Sequence, residues 1–295
     1  MYFDFFACLP IIRFNKNSAQ LNYLILKIHG KALSCAINPH VMRSKIFLLI
    51  VSIITIGHSI AWSQKTPRFH VIALYENGGH HIEYTKAARP WLDKLAADSN
   101  FTIDYIQNTD LIDSAFLSKY QLFIQLDYPP YAWKEKAVKA FEDYINNGRG
   151  GWIGFHHATL LGEFDGYKMW DWFSGFMGGI TYKNYIATFA KAKVNVEDAN
   201  HPVMKGVPPS FMVEKEEWYT YDKSPRPNVH VIASVDESTY TPNSDIKMGD
   251  HPVIWTNLNV KARNVYIFMG HSPILFDSEV YKTIFTNAIF WAAIR

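Results

Sequence analysis

The sequence predicts an α/β domain: a parallel sheet with helices on both faces. Three observations predict it. Short, continuous apolar runs have the length of buried strands, amphipathic stretches of helical period lie between them, and turn residues stand at nearly every changeover. Residues 69–75 form the first expected strand, ended by Glu76-Asn77-Gly78-Gly79, and residues 81–97 form the first helix. A second strand over 101–106 and a short helix over 113–119 come next. A third strand over 121–126 stops at Asp127-Tyr128-Pro129-Pro130. Residues 133–146 form an amphipathic helix with Gly148 as its cap, and the fourth strand follows at 150–155. This alternation implies right-handed crossovers and parallel pairing.

The second half is less regular. A short helix is expected over 170–176, an extended segment over 186–196, and strands over 211–213, 229–235, 252–256 and 264–269, with a closing helix over 276–293. No internal repeat or linker interrupts it, so one domain with loop-rich additions is expected over residues 64–295.

The amino terminus reads differently. Met42-Arg43-Ser44-Lys45 is a basic start, residues 46–60 are mostly apolar, and Ala61-Trp62-Ser63 is a small-x-small site. That is the layout of a secretory signal peptide over 42–63, with an uncleaved anchor as the alternative. Residues 1–41 then read as an upstream extension, and the mature chain is expected to be exported, periplasmic or extracellular, with no stable membrane span after cleavage. Leu33-Ser34-Cys35 is a weaker match to a lipoprotein box. Both cysteines, Cys8 and Cys35, precede the expected cleavage point. The exported chain therefore has no thiol nucleophile, disulfide or thiolate metal site. Twenty-nine basic against 27 acidic residues, without a basic stripe, argue against nucleic acid as a partner.

The chemistry concentrates in histidines beside strand ends. Gly154-Phe155-His156-His157-Ala158 has the spacing of a nucleophile elbow, with His156 in the nucleophile position. An imidazole there can bind a metal or move a proton but is poorly suited to stable acyl transfer. Parallel strands bring His80, His81, His156 and His157 to one sheet edge, and His271, after a late strand, is expected beside them. Such convergence is what a divalent metal site looks like in sequence, with His80, His81 and His156 as expected ligands. Polar sugar binding without metal fits equally well. His70 and His230 lie within strands and read as structural. His201 and His251 precede prolines; His201 reads as structural, while His251 is evenly balanced. Glu216-Glu217-Trp218-Tyr219 places paired carboxylates beside aromatic rings, either a solvated strand edge or an acid/base and sugar-binding element. Loop aromatics are plentiful (Tyr128, Tyr131, Trp133, Tyr167, Trp170, Trp172, Tyr182, Tyr185, Trp218, Tyr219 and Tyr221). Each alone fits a core, but the set fits a sugar.

Several motifs in order carry a resemblance: Gly154-Phe155-His156-His157-Ala158, Asn200-His201-Pro202-Val203, Glu216-Glu217-Trp218-Tyr219, Pro252-Val253-Ile254-Trp255, Arg263-Asn264-Val265-Tyr266 with Gly270-His271, and Asn287-Ala288-Ile289-Phe290-Trp291-Ala292. Over residues 69–294 the chain resembles the trehalose-utilisation ThuA-like family. The resemblance implies a flavodoxin-like sheet related to class I glutamine amidotransferases. It also implies a link to trehalose and related disaccharides, 3-keto derivatives included. Amidotransferase activity itself is not implied, because His156 replaces the elbow cysteine and Gly270-His271-Ser272-Pro273 lacks the acid of the amidotransferase motif.

The expected function is therefore carbohydrate processing by a lyase, isomerase or hydrolase. His156, His271 and Glu217 are the expected catalytic groups, and His157, Trp218, Tyr219, Tyr128 and Glu76 the expected substrate contacts. The competing reading is a non-catalytic glycan-binding protein, or a partner of a sugar oxidoreductase; a homo-oligomer is compatible with either.

Overall fold

The computed structural model describes residues 66–76 and 81–294, together with an antiparallel pair, β1 (Lys27–Ile28) and β2 (Lys31–Ala32). His80 and residues 42–63, read as a signal peptide, lie outside the described residues. Lys65–Arg295 forms one compact unit. Its first half contains β3 (His70–Tyr75), α1 (Ile82–Ser99), β4 (Thr102–Ile106), α2 (Ser114–Leu117), β5 (Leu122–Leu126), α3 (Glu135–Asn146) and β6 (Gly151–Phe155). Local chemistry sets the boundaries. α1 ends where Asn100 turns left-handed at φ 58°, and Asp113 caps α2 by accepting from the Phe116 N–H at 2.8 Å.

The second half contains α4 (Asp171–Phe176), β7 (Tyr182–Tyr185), β8 (Ala190–Val196), β9 (Ser210–Glu216), β10 (Tyr219–Tyr221), β11 (His230–Thr241), β12 (Pro252–Thr256), β13 (Asn264–Ile267) and α5 (Glu279–Ala293). Ser278 caps α5 by accepting from the Tyr281 N–H. One sheet takes nine of these strands in the order β4-β3-β5-β6-β13-β12-β11-β8-β9. β4, β3, β5, β6 and β13 pair in parallel, and every pairing from β13 to β9 is antiparallel. The segments expected as loop-rich additions thus continue the sheet rather than decorate it. β7 and β10 make a separate antiparallel pair.

The central strands β5, β6, β12 and β13 are buried along their whole length, so they read as unbroken apolar runs. Alternation assigns their faces. Phe123 and Trp152, side by side on β5 and β6, pack on Phe141 of α3 and on Phe173 and Phe176 of α4. Phe155, three residues after Trp152, points to the opposite face and meets Tyr84 of α1 and Phe285 of α5. Helices therefore cover both faces of the parallel half. Among the described residues, no helix is long and apolar enough to cross a membrane.

The strand that carries the histidine pair is pinned at its start by a close backbone approach. A Cβ on Gly151 would lie 2.2 Å from the Ala292 carbonyl oxygen of α5. Gly151→Ala should therefore push α5 off β6 and lower stability by about 1–3 kcal/mol, the usual range for overpacking. Thermal unfolding of the variant beside the parent measures this, and an unchanged midpoint would show that α5 yields freely.

Candidate active site

Strand direction assembles the site. β3, β5, β6 and β13 run in parallel, so the residues after their last members meet at one edge of the sheet. The four antiparallel pairings beyond β13 return β9 to the direction of β13, and β9 packs on the short turn Pro273–Asp277 that follows β13. Glu216 and Glu217, at the end of β9, thereby reach the same edge.

His156 sits at the turn as a left-handed residue, φ 29°, and opens the 3-10 turn His156–Thr159. Its neighbours are small because they touch. A Cβ on Gly154 would come within 3.1 Å of the Ala158 Cβ and strike the Trp152 ring. The His156 carbonyl accepts from the Thr159 hydroxyl at 3.0 Å and the Tyr266 hydroxyl at 3.1 Å, and Tyr221 joins those two hydroxyls beneath the turn. Gly270 allows β13 to leave beside the elbow, since a Cβ there would lie 3.0 Å from the His156 Cβ.

Three atoms from separate segments form a nearly equilateral triangle. His271 Nδ1 lies 3.3 Å from Glu217 Oε2 and 3.3 Å from His156 Nε2, and the third side, His156 Nε2 to Glu217 Oε2, is 3.4 Å. His81 adds a further donor, and ligand atoms of all four residues lie within 4.8 Å of one another. Burial makes the charged form of His156 costly and pushes its pKa down to about 3, so the ring is neutral. Burial also works to raise Glu217, but its bonds to His156 and His271 outweigh this and hold the carboxylate ionised. Glu216 is buried completely. Its Oε2 accepts from the amides of Gly270 at 3.0 Å and His271 at 3.4 Å, and its Oε1 from the Glu217 amide at 2.9 Å. Desolvation raises its pKa to about 8 despite those bonds.

A second arrangement adjoins the first. His157 Nδ1 lies 3.0 Å from the Asp127 carbonyl oxygen and 3.3 Å from Glu76 Oε2. A carbonyl only accepts, so Nδ1 carries the proton and the lone pair is on Nε2. The His81 ring stands between the two groups, with centroids 3.7 Å from His157 and 4.2 Å from His271. Tyr182, Tyr185, Ala187, Phe189 and Tyr219 complete a cavity of about 530 Å3 over these residues.

Residues 70–292 match the ThuA family, described as trehalose utilisation. The chain belongs to the ThuA family. A ThuA-like protein of Bacteroides uniformis is 29% identical, with a TM-score of 0.69 over 77% of this chain and 92% of the other. A ThuA-like protein of Parabacteroides merdae is 18% identical, with a TM-score of 0.57 over 77% and 90%. Among curated proteins, none matches the chain.

Of the residues expected from the sequence, this ThuA member brings His81, His156, His271 and Glu217 into one cluster, with His157, Glu76 and Tyr219 beside it. Tyr128 is half-buried against Trp133 and is not among the residues that line the cavity. Trp218 does not contact the cavity: its ring is fully buried between Phe268 and Tyr240, and its Nε1 donates to the Ala190 carbonyl. Alternation along the chain explains this, because Glu217 and Tyr219 face the site and the residue between them faces the core. His201 accepts from the Val203 amide, and His251 pairs with Glu237 in the interior, so both serve structure.

Asp127 carries more weight than its sequence signal suggested. It ends β5 in a left-handed conformation, φ 48°, and is fully buried, and neither carboxylate oxygen has a hydrogen-bond partner. Burial, then the charges of Glu216 and Glu76, push its carboxyl well above the usual range. An acid whose pKa rises on folding loses stability as pH rises above the unfolded value near 4, because the unfolded chain then releases its proton first. Thermal midpoints measured between about pH 4 and 8 should therefore fall less steeply for Asp127→Asn than for the parent. The difference in slope is at most roughly 1.4 kcal/mol per pH unit. Parallel curves would remove Asp127 as a source of the slope.

Proposed function

We propose that this ThuA protein is an exported enzyme that acts on a disaccharide or its keto-glycoside form with the help of a bound divalent cation. The triangle of His156, His271 and Glu217 carries the reading. In a tetrahedral site with bonds of about 2.0–2.1 Å, neighbouring ligand atoms stand about 3.4 Å apart. The three sides observed here are 3.3, 3.3 and 3.4 Å. Three imidazoles and one carboxylate, buried and drawn from four segments, suit zinc or another borderline transition ion rather than calcium or magnesium. His81 would supply the fourth ligand.

Such an ion supplies charge stabilisation to a sugar carbonyl or hydroxylate. The chain's own residues do the remaining work. His157 has its Nδ1–H directed at the Asp127 carbonyl, with the Glu76 carboxylate nearby, the orientation that leaves Nε2 able to take a proton from a carbon beside a ketone or from a hydroxyl. Tyr182, Tyr185 and Tyr219 offer aromatic walls for a sugar ring, and burial of the cluster excludes water from the reacting atoms. Proton removal beside a ketone leads to elimination or isomerisation, which needs no nucleophile at the elbow. A glycan-binding protein without catalysis would need the aromatic walls but not the oriented His157 or four convergent ligand groups.

Elemental analysis of the purified full chain, after chelation and reloading with zinc or manganese, should find about one ion per chain. Added ion should raise the thermal midpoint of the parent but not of His271→Ala. His157→Ala should keep the ion yet lose about two to four orders of magnitude in turnover on trehalose and 3-keto-trehalose. No ion in the parent, or full turnover in His157→Ala on a confirmed substrate, would sink the respective half of the proposal.

A further inference from the structure

The run of aromatic rings does not stop at the cavity. Tyr182, in its wall, meets Phe164 edge to face with centroids 5.9 Å apart, and Phe164 lies 5.5 Å from Tyr131. Tyr131 and Tyr167 are then nearly parallel, 28° apart, with centroids 6.2 Å apart. The series runs from the interior to the surface, where Tyr167 is 50% exposed.

The last ring is presented by stiff backbone. Phe164 and Tyr167 exchange both backbone hydrogen bonds, 3.2 and 2.8 Å, across Asp165 at φ 52° and Gly166 at φ 82°. Two left-handed residues of the Asp-Gly type make the tight hairpin turn that holds its flanks in fixed register.

Carboxylates flank the shelf. Burial, then the charges of Asp165 and Glu76, raise the pKa of the Tyr131 hydroxyl, and Glu76 also approaches His157 inside the site. The shelf thus adjoins the cavity along two routes, one through Tyr182 and Phe164 and the other through Glu76. A flat aromatic face with acceptors at its edge suits a pyranose, whose C–H face stacks while its hydroxyls donate. An apolar peptide or lipid would cover the rings and leave the carboxylates without partners.

We infer that Tyr131 and Tyr167 form an outer subsite for the second ring of a disaccharide whose reacting ring occupies the cavity. The substrate is then a glycoside of two or more residues rather than a monosaccharide. This inference rests on the carbohydrate reading above.

The test uses the full chain and two probes, 3-keto-trehalose and 3-keto-glucose, with affinity read by calorimetry and KM and kcat where turnover occurs. Tyr167→Ala and Tyr131→Ala should weaken the disaccharide about 5- to 30-fold, chiefly in KM, and change the monosaccharide less than about twofold. Tyr167→Phe, which keeps the face, should retain most of the affinity. The backbone bonds of the turn do not involve the ring, so the thermal midpoint of Tyr167→Ala should match the parent. Equal losses for both sugars, or no loss for the disaccharide, would overturn the outer subsite and leave the carbohydrate reading standing. Failure of the parent to bind either sugar would overturn both.

Discussion

A buried carboxylate ties the two halves of this molecule together at the place where chemistry is proposed. Glu216 ends the outermost strand of the antiparallel half, and its oxygens receive the amides of Gly270 and His271, which leave the last parallel strand. That tie, with the packing of β9 on the Pro273–Asp277 turn, keeps Glu217 3.3 Å from His271, although the strands that carry them are four pairings apart in the sheet. A buried acid, commonly counted as destabilising, becomes the means by which a distant edge supplies a ligand group.

The neutral and ionised states of the cluster follow from where water is absent. His156 is wholly enclosed and stays uncharged. Glu217, next to two imidazoles, stays charged, while burial pushes the carboxyls of Asp127 and Glu216 upward. An edge that gathers this many ionisable groups without surrounding them by solvent lowers the stability of the fold. Backbone in unusual conformations stands at the same edge, at Asp127 and His156. Concentration of strain and desolvation in one place is characteristic of a working site rather than of a scaffold.

The sequence made the parallel half legible because each of its strands is a short apolar run with a turn residue after it, and because a strand buried on both faces has no competing periodicity. Residues 252–256 and 264–269 were recognisable as strands, but their antiparallel placement was not, since sheet order depends on contacts between segments far apart in the chain. The elbow announced His156 through local spacing, and strand direction then carried His81, His157 and His271 to it. Glu217 was legible as part of a pair. Its neighbour Glu216, whose partners lie more than 50 residues away, gave no local sign of its role. Tyr182 and Tyr185 stood out only as two loop aromatics among many, since their pairing with β10 spans an interval with no hairpin signal. Trp218 misled because it was counted among the loop aromatics: it does lie in the link between β9 and β10, but its ring turns inward onto Phe268 and Tyr240.

The backbone of the elbow at His156 is held by atoms other than its imidazole: the small contacts of Gly154 and Ala158, the hydroxyls of Thr159 and Tyr266, and the close passage of Gly270. The mount is therefore independent of the tool. Exchange of that one side chain would keep the bonds that make the bend and put a different functional group beside Glu217 and His271, so the same architecture can carry different chemistry at this position.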